Sequence, residues 1–167
     1  MTLQQKLLAK KSKKGFTLVE LVVVIDILGI LAAIAIPAVI GIINSAQASQ
    51  RKSDAASIDS AANDFYASVV SGVVHAGNAG KLTDPTSPLP AATASASARK
   101  TAAGDLTVKD ALIYNGLDAL LTKGKDFGYD GKGHIYSTDD DAHKSALTKS
   151  NVFDKDFGVT FSAMGFN

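Results

Sequence analysis

Residues Leu21 to Ile43 read LVVVIDILGILAAIAIPAVIGII, an apolar run broken only by Asp26, Gly29, Pro37 and Gly41. At about 1.5 Å of rise per residue, a helix over this run reaches roughly 34 Å, enough to cross the hydrocarbon core of a bilayer. Lys6, Lys10, Lys11, Lys13 and Lys14 precede it with no acid among them, and the next base is Arg51. Basic residues gathered on one side predict an N-terminus in the cytoplasm and the rest of the chain outside. A cleaved secretory signal would have a shorter apolar region and a small-x-small exit, and Asn44-Ser45-Ala46 matches such an exit poorly. A plain membrane anchor on a soluble domain is the simplest alternative.

Acid placement argues against a plain anchor. Of the 16 acids, only Glu20 is a glutamate, and it stands at the edge of the apolar run in Lys13-Lys14-Gly15-Phe16-Thr17-Leu18-Val19-Glu20. A charged carboxylate costs about 2.5–3.5 kcal/mol at the centre of a membrane helix and less near the interface, so such a residue usually has a partner. Asp26 lies six residues on, about 240° around a helix from Glu20, so the two do not share a face. For Asp26, three readings stay open: a protonated acid in lipid, a cation or hydroxyl found in an assembled core, or a tolerated polar residue. Pro37 removes a backbone donor and predicts a kink or local loosening, and Gly29 and Gly41 weaken the helix around it.

The junction GFTLVELVVVIDILGILAAIAIP resembles the N-terminus of type IV prepilins and their relatives, the pseudopilins and competence pilins. The likeness covers roughly Lys13 to Pro37 and the helix that follows; Asp26 departs from it, standing where an apolar residue is expected. The resemblance implies that a membrane prepilin peptidase cuts between Gly15 and Phe16 and N-methylates Phe16, while the apolar helix is kept as a filament core. It also implies that this segment can lose helical order in a filament. Cutting there creates an ammonium on Phe16, which in a low-dielectric core would favour contact with Glu20 of a neighbour and could set the axial register.

Downstream, Ala55, Ile58, Ala62, Phe65 and Val69 recur at spacings of 3 and 4, one apolar stripe of an amphipathic helix. One helix is therefore expected from about Phe16 to Val74. Residues 76–104 are expected to be a loop rich in Gly, Pro and small residues, with a short helix over Ala91–Lys100 as an alternative. Thr107 and Asp110 have capping-box-like spacing ahead of a helix from about 108 to 122, interrupted by Gly116 and ended by Lys123-Gly124. Phe127-Gly128-Tyr129 and Ile135-Tyr136 flank Asp130-Gly131-Lys132-Gly133 as a hairpin. Asp139–Asp141 predict a helix over Ala142–Lys149, and Val152-Phe153 and Phe157–Phe161 predict further strands, for a sheet of three or four.

The expected fold is thus α+β: a long N-terminal α-helix, half transmembrane and half amphipathic, packed on a small antiparallel sheet. The expected divisions are 1–15 as a cleaved leader, 16–43 as the membrane and filament-core helix, 44–75 as its amphipathic outer half, and 76–167 as a head with a variable loop 76–104. Hydrophobic residues make up 46% of the chain, ample for a core. With no cysteine there is no disulfide, thiolate metal site or cysteine nucleophile, and the disulfide loop usual in pilins cannot form.

Asp126 to Ser137 begins like a calcium loop but lacks ligands at its third and twelfth positions, so a hairpin turn is the better reading. Asp139–Asp141 could hold calcium loosely, though a helix N-terminus accounts for them. His75, His134 and His143 have no metal-ligand spacing, and no phosphate or dinucleotide loop or catalytic constellation is present, so neither cofactor nor metal is expected. A net charge of +1 gives no specific nucleic-acid partner. The expected function is a structural, non-enzymatic filament subunit. It waits as a single-pass protein in the cytoplasmic membrane and then joins a surface pilus. Its partners are its own copies, the prepilin peptidase and methyltransferase, an assembly platform and its ATPase. A pseudopilin of type II secretion, a competence pilin and a membrane-anchored extracellular binding domain are the alternatives.

Overall fold

The computed structural model describes residues 15–145, 147 and 151–166. The five N-terminal lysines lie outside them, as does most of the second half of the helix expected over 142–149. The chain divides after Ser45 into two compact units. Helix α1, Leu18–Ser71, crosses that division. Its residues up to Ile43 present only exposed apolar side chains and the acids Glu20 and Asp26.

In the second unit, Ala55, Ile58, Ala62, Phe65 and Val69 are all buried, so the stripe read from the sequence is core. α1 ends at Gly72, whose φ of +83° suits glycine, and Arg99 Nε donates to the Val70 carbonyl at 2.8 Å. That guanidinium supplies the positive charge a helix C-terminus favours.

The expected loop 76–104 is shorter than predicted. Ser95 accepts a hydrogen bond from Ala98 N and starts helix α2, Ala96–Asp105, so the short helix foreseen over 91–100 exists but begins and ends five residues later. The remaining connection is tied down: Ala76 N donates to Pro90 O at 3.0 Å, and Thr86 N donates to Asp110 Oδ1 at 3.0 Å.

Helix α3 covers only Val108–Tyr114. Leu117 N donates to Leu112 O and Gly116 N to Ile113 O, with Gly116 at φ +72°. This pair of bonds around a left-handed glycine closes the helix. The chain restarts as a 3-10 helix, Asp118–Asp126, running past the expected stop at Lys123-Gly124.

Strands β1, Phe127–Tyr129, and β2, Ile135–Ser137, pair antiparallel with Gly128 opposite Tyr136, as the hairpin reading requires. Asp130 Oδ1 accepts from Lys132 N at 2.8 Å and His134 N at 3.2 Å, so this carboxylate holds a turn. Asp59 Oδ1 of α1 accepts from Ile135 N at 2.8 Å and fastens β2 to the helix.

Among the described residues the sheet has two strands, not the expected three or four. Val152 makes a single bridge to Gly128. Residues 157–161 turn away because Phe157 takes φ +55°, a left-handed conformation uncommon outside glycine, with its ring fully buried against Phe127 and Phe153. Their backbone instead meets the start of α3, through Lys109 N to Phe157 O and Val108 N to Val159 O, both 3.2 Å. Phe161–Met164 then forms a short helix, α4. The fold is nonetheless the α+β pilin arrangement of a long helix, further helices and a small antiparallel sheet.

Residues 141–145, where a helix was expected to start, form turns. Arg51 pairs with Asp139, Lys52 Nζ lies 3.2 Å from Asp140, and His143 Nδ1 lies 2.8 Å from Asp140 while its ring stacks on Tyr136 at 3.8 Å. Asp139 and Asp140 thus anchor this segment to the helix, while Asp141 lies 3.7 Å from Lys144 Nζ within the segment itself. His143, beside Asp140, holds that carboxyl below its ordinary value, helped by Lys52 and Ala142 N against the opposing effect of desolvation. A lowered folded value stabilises the fold above the unfolded carboxyl's 3.8 and loses that stabilisation as pH falls through the folded value. In urea melts of the detergent-solubilised chain, the gap between wild type and Asp140→Asn is therefore expected at about pH 6 and should close toward about pH 3. A gap independent of pH would show that the carboxyl contributes no charge-dependent stability.

Candidate processing and assembly site

Gly15, Phe16 and Thr17 are non-helical, and the helix begins at Leu18. Thr17 is its cap. Thr17 N and Thr17 Oγ1 each donate to Glu20 Oε2 at 2.8 Å, and Glu20 N donates back to Thr17 Oγ1 at 3.2 Å. This reciprocal box satisfies the first free backbone donors and puts a carboxylate at the positive end of the helix. Thr17 was not singled out from the sequence, although its spacing to Glu20 is the Thr-x-x-Glu signature of such a box.

The box fixes the geometry of the junction. The Gly15–Phe16 peptide lies ahead of the helix, in non-helical backbone. Phe16 is 90% exposed, and a Cβ built on Gly15 meets nothing within 4 Å. Of the residues selected from sequence, Glu20 is joined to Thr17, while Asp26, Gly29 and Pro37 lie further along the same helix. Pro37 stands inside the continuous helix, where its missing N–H leaves the Ala33 carbonyl without its usual donor. The helix from Leu18 to Ile43 reaches about 39 Å, longer than a bilayer core of about 30 Å.

Residues 10–36 match the family model of the prokaryotic N-terminal methylation motif. The chain carries a prepilin-type N-terminus. No curated protein and no solved structure matches it. The motif covers the Gly15–Phe16 junction and most of the apolar helix and leaves the rest of the chain unmatched. Among the described residues, no three His, Asp or Glu side chains converge on a point that could hold a metal ion. The cavity of about 250 Å³ in the head is lined by Lys52, Asp59, Tyr136, Asp140 and His143 over an alanine and isoleucine floor. Asp140, His143 and Asp59 are already engaged there in holding β2 and the segment after it.

Proposed function

We propose that this protein is a structural subunit of a type IV pilus, stored in the cytoplasmic membrane and polymerised into a surface filament. The observation that carries the reading is the conjunction of the methylation motif with an apolar helix whose side chains from Leu18 to Ile43 are exposed. A soluble head alone needs no such helix, and a plain anchor needs no capped carboxylate at its start.

In this reading residues 1–15 are the leader, 16–43 the membrane and then filament-core segment, 44–75 the outer helix, and 76–167 the head. A prepilin peptidase cuts between Gly15 and Phe16 and methylates the new amine. Glu20 meets the Phe16 ammonium of a neighbouring copy and sets register, and Gly29 and Pro37 allow the segment to loosen as it packs. An assembly platform and its ATPase supply the work, and the subunit itself is not an enzyme.

The test is the intact mass of this protein in filaments sheared from its native host. It is expected to begin at Phe16 and carry one added methyl group. Cut protein that stays in the membrane fraction would instead favour a secretion pseudopilin or a minor subunit. Protein that keeps residues 1–15 would favour an anchored extracellular binding domain.

A further inference from the structure

Glu20 and Asp26 are the two acids of the segment 16–43, and their surroundings differ. Glu20 Oε2 already receives two donors from Thr17. Asp26 is exposed, and among the described residues none donates to it or pairs with it. The described residues of the first unit, 15–45, include no Lys or Arg. An ionisable group in an apolar span calls for a partner, and the described residues supply none.

The face around Asp26 carries Val22 and Ile30 about 40° to either side, and between these larger residues it offers small ones. At 100° per residue, Gly29, Ala33 and Pro37 fall within about 60° of it, one small or side-chain-poor residue per turn. A Cβ on Gly29 would meet nothing within 4 Å, so the space beside Asp26 is open. Small residues on a helix let a second backbone come near.

We propose that Asp26 receives the Phe16 ammonium of a second copy of this chain, seated on the Asp26–Gly29–Ala33–Pro37 face. The inference rests on the filament reading above, because only removal of residues 1–15 creates that ammonium. The contact is between copies: within one chain, Phe16 and Asp26 are about 15 Å apart along the axis. A methylated Phe16 amine keeps two N–H donors, enough for one carboxylate on each of two neighbours. Glu20 of one and Asp26 of another then hold it together. Since these acids are six residues apart, the two neighbours are offset by about 9 Å along the filament. They also lie on different sides, as the roughly 120° between the two acids demands.

Zero-length carbodiimide coupling tests the contact, because it joins a carboxyl to an amine, with loss of water, only where the two touch. Wild-type filaments treated this way are expected to yield, on digestion and mass spectrometry, an amide between the Phe16 nitrogen and the Asp26 side chain. Detergent-dispersed subunits should not yield it. Asp26→Asn filaments should lose the product and come apart at lower detergent concentration. Mature filaments that give only the Phe16–Glu20 amide, with Asp26→Asn filaments of wild-type resistance, would overturn this contact and leave the filament reading standing. Chains still beginning at Met1, read in the same spectra, would overturn both.

Discussion

Gly15→Leu is expected to leave the protein in the membrane at full length, beginning at Met1, with no sheared filament. Gly15 lies in open, non-helical backbone, where an added Cβ touches nothing in the chain itself. The substitution therefore leaves the capping box and the head intact, and any loss arises in the peptidase, whose active site must approach the backbone at that peptide. A branched side chain beside the scissile bond displaces it, and a displacement of about 1 Å costs roughly 100-fold in rate. Gly15→Ala should fall between the two. Cleavage rate is followed by mass in membranes containing the peptidase, alongside a melt of the head as a folding control. Normal cutting of Gly15→Leu would move the processing site elsewhere.

Asp110→Ala is expected to destabilise the head by about 3 kcal/mol or more, because it strands buried donors that had a charged acceptor. Asp110 is 1% exposed. Its carboxylate accepts from Thr107 N and Thr107 Oγ1, each at 2.9 Å, from Thr86 N at 3.0 Å, and from Thr86 Oγ1. One side chain thus starts α3 and clamps the connection arriving from α1. Loss of both functions should lower the melting temperature by roughly 12–24 °C for a head of this size. Asp110→Asn, which keeps one acceptor oxygen, should lose less. A melt of Asp110→Ala within about 0.5 kcal/mol of wild type would show that water replaces the carboxylate at no cost.

Legibility followed the range of the interaction. The apolar run, the buried stripe on α1 and the hairpin with its glycine turn are written in short periods, and the structure has them where the residues place them. Thr107 and Asp110 were readable as a cap, but the Thr86 contact 24 residues away was not. The C-terminal strands failed for the same reason. Phe157 to Phe161 has strand-like composition, yet the space for the Phe157 ring lies between Phe127 and Phe153, and filling it turns the backbone left-handed. Gly116 was seen only as an interruption, whereas the bonds around it end the helix. At the candidate site the junction was legible through its motif, and the Thr17 half of the box was present in the spacing but unread. Asp26 stood out by its chemistry, and its lack of a partner among the described residues is visible only in the folded chain.

The fastening of Asp59 to Ile135 sets a timetable. These residues are 76 positions apart, so at about 5–20 residues per second a ribosome needs roughly 4–15 s to deliver β2 after the helix that will hold it. The hairpin itself closes in about 1–10 μs once both strands exist. The slow step in making a head is thus waiting, with Ile58, Phe65 and Val69 uncovered on a helix that has already emerged. A subunit in this interval is the form most open to proteolysis or wrong association, and faster translation of residues 72–135 shortens its life more than any gain in strand propensity.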